Sequence, residues 1–256
     1  MSLFLDPSNV HIWYRVTDAL DDRAVAASML LLSADERARH DRFVFARDRR
    51  DFAEAHALTR RALSLYGSLV PADWTFEVAP GGKPGLPREC AGSPPLVFNL
   101  SHTHGLVGCA VARGAELGFD VELIDRAVDV QGIAKRFFTP VECADIDGCA
   151  GTERPVRFIE LWTLKEAYIK AVGRGLSHPL DEFGFTFGEQ NEIRFTAPDG
   201  ADSGQWMFAL FAPSPRARMA VAVRSGAPGR QCVIARQFDQ TSRLAPERWS
   251  SPLADR

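Results

Sequence analysis

The sequence predicts an α+β fold assembled from two similar halves, and three observations carry that prediction. Val10, Ile12, Tyr14 and Val16 alternate with His11, Trp13 and Arg15, the period of a strand. Two capping boxes, Ser33-Ala-Asp-Glu36 and Thr139-Pro-Val-Glu142, each open a helix that a longer helical pattern follows. Strand-like runs come after each long helix, so the order of elements repeats at the level of pattern, though not of residue identity.

Each element has its own signal. The helix opened by Ser33 runs towards Arg47, and a second spans about Asp48 to Tyr66, stopping at Gly67. Trp74 to Val78 reads as a short strand. Residues 79–95 are more than half Gly and Pro and read as a loop. A short strand into Asn99 comes next. Leu106–Ala112 and Leu117–Ile124 follow as a predicted hairpin turning at Arg113-Gly114. In the second half, Pro140 takes the first helical position after Thr139, and a long helix covers Phe158 to Gly173. Strands are expected at Phe183–Phe187, Glu192–Phe195, Trp206–Phe211 and Met219–Val223. The division is therefore 1–113, 114–237, and a loosely held tail at 238–256 rich in Arg, Ser and Pro.

A chain of 256 residues, 46% hydrophobic, can bury a sizeable core. A formal charge of −3 argues against nucleic-acid binding by bulk electrostatics. Five cysteines with no CxxC pair point to reduced thiols rather than a disulfide frame or zinc site. The N-terminus lacks the pattern of a signal peptide, and no run approaches the length of a membrane span. A cytoplasmic protein acting away from membranes is expected.

Chemistry concentrates in three stretches. In FIELWTLKEAYIKAVG, Phe158, Leu161, Leu164, Tyr168 and Val172 form one apolar stripe. Lys165 falls inside it, where an unpaired ammonium is costly to bury. It needs an anion that the helix does not supply, and a ligand is one source. Glu166 and Lys170 stand one turn apart on the flank, also the spacing of an ordinary surface pair. In LGFDVEL, Leu117, Phe119, Val121 and Leu123 point one way, and Asp120 and Glu122 the other, roughly 7 Å apart. Two such carboxylates suit a hard cation such as Mg²⁺; a solvent-facing strand surface has the same pattern. In FNLSHTHG a strand leads into a polar turn whose Ser101 and His102 suit phosphate contact better than zinc binding or nucleophilic catalysis. Gly82-Lys83-Pro84 is not a Walker motif, and Arg47, Arg49 and Arg50 form a local basic cluster.

Together, in this order and spacing, FNLSHTHG, GFDVELID and LWTLKEAYIKAVGRGL resemble the signature of the Sfp-type 4′-phosphopantetheinyl transferases. GKP, the arginine-rich DRR segment and RFFTPVE fit as well, and the resemblance covers roughly residues 10–225. It implies a pseudo-dimer of two halves, each a small, mostly antiparallel sheet packed with helices, with the active site in the cleft between them. It implies coenzyme A as co-substrate and Mg²⁺ as cofactor, with Mn²⁺ as a substitute. Asp120, Glu122 and Glu166 match the metal ligands, and Glu166 also the base for a carrier-protein serine. Lys170 matches a pyrophosphate contact, and Lys165 a further signature lysine on the coenzyme side. Lys83, Ser101 and His102 match contacts to the coenzyme phosphates. Arg50 is chosen from Arg47, Arg49 and Arg50 for the 3′-phosphate, and His104 is assigned no role. Phe137 and Phe138 read either as carrier-protein surface or as core.

The activity so implied is transfer of 4′-phosphopantetheine from coenzyme A to a serine of an apo acyl or peptidyl carrier protein, by a monomer serving fatty acid, polyketide or non-ribosomal peptide synthesis. Two rivals use the same inventory: a Mg²⁺-dependent phosphodiesterase or nucleotide hydrolase, and a non-catalytic binding module for coenzyme A or carrier protein.

Overall fold

A computed structural model describes residues 3–79, 81–125, 129–175, 178–198, 203–225 and 232–238. They fall into two compact units, the first taking residues up to Ala115 and the stretch after Ser225, the second the residues between.

The first unit is built on strand β1 (Asn9–Val16) and helices α1 (Asp22–Met29), α2 (Ala34–His40) and α3 (Ala46–Ser64). The short strands β2 (Glu77–Val78) and β3 (Pro84–Gly85) and helix α4 (Arg88–Ala91) follow. Then come β4 (Leu96–Thr103) and β5 (Leu106–Arg113). Ser33 and Glu36 form the expected capping box, but α2 stops at His40, short of Arg47. The sequence reading missed α1, whose Asp21 cap accepts the Ala24 N–H. It also read 79–95 as plain loop, although β3 and α4 lie there. Trp74 is outside any strand; only Glu77–Val78 of the predicted Trp74–Val78 run pairs, against β3.

Helix α3 lays Ala55, Leu58, Ala62 and Leu63 into a core with Trp13, Trp74, Phe98 and Val111. Buried acids on α3 and α2 tie these helices to their neighbours. Glu54 accepts from Arg15, Ser28 and Arg61, and Glu36 accepts from His56 and Arg60. Satisfied on several sides, these carboxylates escape the penalty of an unpaired buried charge.

Strand β11 (Cys232–Gln237) returns to this unit and pairs parallel with β1, giving the sheet order β11-β1-β5-β4. The boundary expected at 237 is thus corrected: the second unit ends at Ser225, because the edge of β1 offers the backbone partners that β11 needs. Phe238, at the start of the expected loose tail, donates its N–H to the Tyr14 carbonyl. The tail beyond it lies outside the described residues.

The second unit contains β6 (Ala115–Leu123), α5 (Val130–Phe137), α6 (Pro140–Gly148) and α7 (Glu153–Val172). Strands β7 (Gly184–Phe187), β8 (Ile193–Thr196), β9 (Trp206–Ser214) and β10 (Ala217–Ser225) complete it. The hairpin expected between β5 and β6 does not form: β5 pairs with β1 and β4, whereas β6 joins the sheet β6-β10-β9. Gly114, at φ 61°, turns the chain from one sheet to the other.

The Thr139–Glu142 capping box is present. Helix α7 starts five residues earlier than predicted and stops at Gly173, whose φ of 70° suits the left-handed cap. Its stripe packs Phe158, Leu161, Leu164 and Tyr168 with Phe138, Phe183 and Phe185. Phe138 stacks on Phe158, and Phe137 is edge-on to Trp162, so the core reading holds for Phe138. No described helix is long and apolar enough to cross a membrane.

Candidate functional site

The acidic strand and the lysine-bearing helix meet because of a glycine. Leu117, Phe119 and Val121 of β6 are buried on one face, as the alternation predicts. The other face, Gly118, Asp120 and Glu122, is not a solvent-washed surface, since Asp120 is only 3% exposed. Gly118 lies against the α7 backbone: a Cβ there would sit 1.9 Å from the Ala167 carbonyl oxygen and 2.4 Å from the Ala171 nitrogen. Only glycine permits that approach. Two residues along, on the same face, Asp120 Oδ1 accepts from Lys170 Nζ at 2.6 Å. Lys170 therefore reaches across to the strand.

Glu122 and Glu166 are half-buried on the same two elements. Three carboxylates suit a hard divalent ion by donor chemistry. No group of three or more His, Cys, Asp or Glu side chains among the described residues makes a ready-made metal cage. Mg²⁺ does not demand one, since it keeps several waters and takes oxygens from substrate phosphates.

Lys165 is the main correction. It is fully buried, and its Nζ donates to the Leu180 carbonyl (2.7 Å), the Phe183 carbonyl (2.6 Å) and Glu142 Oε2 (2.9 Å). An ammonium has three N–H donors, and all three are engaged, so none is left for a coenzyme phosphate. The rings of Phe183 and Phe138 cover it at 4.5 and 5.3 Å. Burial pushes its pKa below the usual lysine value, against the pull of Glu142. The anion that the helix lacked is the carboxylate of the second capping box.

In the first unit, β4 continues through Thr103, so Ser101 and His102 belong to the strand and only the tip at His104-Gly105 turns. Ser101 is buried and His102 exposed, as alternation requires. The tip is anchored from α3. Asp51, 2% exposed, accepts from the Gly105 N–H at 3.2 Å and from the Thr17 hydroxyl. Thr17 N in turn donates to the Gly105 carbonyl at 2.8 Å. Gly105 has φ 76°, and a Cβ there would collide with Asp18.

The three arginines separate clearly. Arg49 donates to the carbonyls of Phe43 and Val44, Arg47 lies over the Phe45 ring, and Arg50 bonds Asp18 Oδ1 at 2.7 Å. Arg50 Nε also lies 3.6 Å from Asp51, the carboxylate that anchors the β4–β5 tip. His104 Nδ1 stands 3.5 Å from Asp48. Lys83 is half-buried in the turn between β2 and β3, where Ala79 N donates to its carbonyl.

Sequence reasoning missed Asp51 and Glu142. Asp51 carried no signal, being one more acid on a charged helix. Glu142 was visible as a cap, but its role beside Lys165 needed the tertiary fold.

Known proteins match most of the chain. Residues 116–223 match the family model described as the 4′-phosphopantetheinyl transferase superfamily, and residues 21–113 that of the 4′-phosphopantetheinyl transferase N-terminal region. The 4′-phosphopantetheinyl transferase HetI of Nostoc sp. is 35% identical over 178 residues, 69% of this chain and 73% of that protein. A 4′-phosphopantetheinyl transferase of Bacillus subtilis is 34% identical over 181 residues, 70% of this chain and 75% of its own length. The transferase Sfp of Bacillus subtilis is 31% identical over 171 residues, covering 67% and 73%.

Proposed function

Because the chain belongs to the 4′-phosphopantetheinyl transferase superfamily, we propose that it transfers 4′-phosphopantetheine from coenzyme A to a serine of an apo carrier protein. The serine hydroxyl attacks the β-phosphorus of coenzyme A, and the bond from that phosphorus to the bridging oxygen breaks. Phosphopantetheinyl-serine forms, adenosine 3′,5′-bisphosphate leaves with the bridging oxygen, and the hydroxyl proton goes to a base.

Glu166 is the base in this reading, half-buried on α7. Lys170 contacts the pyrophosphate and meets the charge that develops on the leaving oxygen. Asp120, Glu122 and Glu166 would hold Mg²⁺, or Mn²⁺ in its place, whose charge would offset that of the pyrophosphate. Arg50, Lys83, Ser101 and His102 are assigned to the coenzyme phosphates, Arg50 to the 3′-phosphate. No protein nucleophile is required, and positioning with charge neutralisation supplies most of the acceleration.

The observation that carries the reading is the Lys170–Asp120 contact of 2.6 Å across the Gly118 approach. It brings a phosphate-binding cation to the strand that bears the acids. The test is incubation with coenzyme A, Mg²⁺ and apo acyl or peptidyl carrier proteins, followed by intact-mass spectrometry. The expected result is a carrier protein heavier by one phosphopantetheine. Breakdown of coenzyme A without any carrier protein would instead identify a hydrolase.

A further inference from the structure

Glu142 and Lys165 together form a fully buried junction of four chain segments. Both side chains are 0% exposed. Glu142 Oε2 accepts from Thr139 N at 2.8 Å, from the Thr139 hydroxyl at 2.9 Å and from Lys165. Its Oε1 accepts from Phe185 N at 2.9 Å. Lys165 adds the carbonyls of Leu180 and Phe183. The start of α6, the middle of α7, the turn at Leu180 and strand β7 therefore meet at one charge pair.

A buried ion pair is a poor way to gain stability, since desolvation offsets most of its attraction. What such a pair can supply is a fixed geometry, because a charge held on three or four sides cannot slide.

The geometry it fixes is that of α7. At about 100° per residue, Ala167 and Ala171 lie roughly 200° and 240° around the helix from Lys165. Those two residues carry the backbone atoms against which Gly118 of β6 packs. The helix is gripped on opposite sides, by the Glu142–Lys165 pair and by the glycine contact. Glu166 and Lys170 fall between the grips, roughly 100° and 140° from Lys165. A small roll of α7 would move both and stretch the 2.6 Å contact of Lys170 with Asp120.

We propose that Glu142 and Lys165 are positioning residues for the transfer reaction: they set the roll of α7 and hence the placement of Glu166 and Lys170. The proposal rests on the transferase reading above. It assigns the pair no contact with coenzyme A, carrier protein or metal.

The test compares the parent chain with the uncharged double variant Glu142→Gln/Lys165→Met and with Glu142→Asp, which keeps the charge but shortens its reach. Melting midpoints are measured first. Transfer is then followed well below each variant's own midpoint, with kcat and the KM for coenzyme A determined separately. The expected result is a kcat lower by roughly 10- to 100-fold in the double variant, the scale of a misplacement near 1 Å. KM should change far less, and Glu142→Asp should fall in between. Folded variants that keep the parent kcat would overturn the proposal. So would failure of both variants to fold, since the pair would then be a stability element alone. A parent chain that transfers nothing would overturn the transferase reading, and this proposal with it.

Discussion

Replacing Gly118 with alanine tests the geometry on which the site depends. The added methyl would lie 1.9 Å from the Ala167 carbonyl oxygen and 2.4 Å from the Ala171 nitrogen. Ordinary contact begins near 3.4 Å, so α7 and β6 must separate by about 1.5 Å at this point. The neighbours in the way are helix backbone and cannot turn aside as a side chain does. Overpacking of this kind costs typically about 1–3 kcal/mol. For a chain of this size, about 2 kcal/mol corresponds to a melting midpoint lower by roughly 4–8 °C. The functional loss should be larger. A separation of 1.5 Å would pull Lys170 from Asp120, two residues along the strand from the insertion, and misplacement by about 1 Å can cost about 10²-fold in rate. The assay pairs a thermal melt with single-turnover transfer from coenzyme A to an apo carrier protein on the same sample. A Gly118→Ala protein that stays folded and transfers at the parent rate would refute the claim that this approach builds the site.

Four further outcomes are expected. Glu166→Gln should move stability by about 0.5 kcal/mol or less while lowering single-turnover transfer by about 10²-fold or more, and retained transfer would remove Glu166 as base. Dephospho-coenzyme A should bind more weakly than coenzyme A by about 1.5–3 kcal/mol, the worth of a charge-assisted contact, and Arg50→Ala should erase the difference in calorimetry. Asp51→Ala should cost about 1–3 kcal/mol in urea unfolding, because the Gly105 N–H and Thr17 hydroxyl lose their acceptor; an unchanged midpoint would show that the β4–β5 tip does not depend on it. His11 gives the pH dependence. Burial, and then Arg236, push its pKa down to about 4 from the ordinary 6.5, and Nδ1 faces the Tyr66 hydroxyl at 2.8 Å. As pH falls through this window the unfolded chain binds a proton that the native one refuses. Stability should therefore drop by up to about 3 kcal/mol between roughly pH 6.5 and 4, and His11→Gln should flatten that slope in urea titrations.

How much of this was legible in the sequence follows from the range of each interaction. The capping boxes and the α7 stripe were readable because every partner lies within a few residues of Ser33, Thr139 or Phe158. The alternation in β6 was readable for the same reason, and it placed Asp120 and Glu122 on one face correctly. Strand pairing was not. Nothing local to Leu106–Arg113 and Ala115–Leu123 distinguishes a hairpin from two strands in separate sheets, and nothing local to Cys232–Gln237 points back to Asn9. The hardest case was Lys165. Its position in an apolar stripe showed that it needed an anion, and that inference held. The identity of the anion depended on where the start of α6 packs, more than twenty residues away in sequence, and a signature lysine was therefore read as a ligand contact. The structure gives its three donors to Glu142, Leu180 and Phe183 instead. Of the two lysines on α7, only Lys170 keeps a partly exposed side chain, 29% accessible, with its ammonium beside Asp120. Residue type and spacing located the charged helix; burial decided which of its lysines reaches the acidic strand.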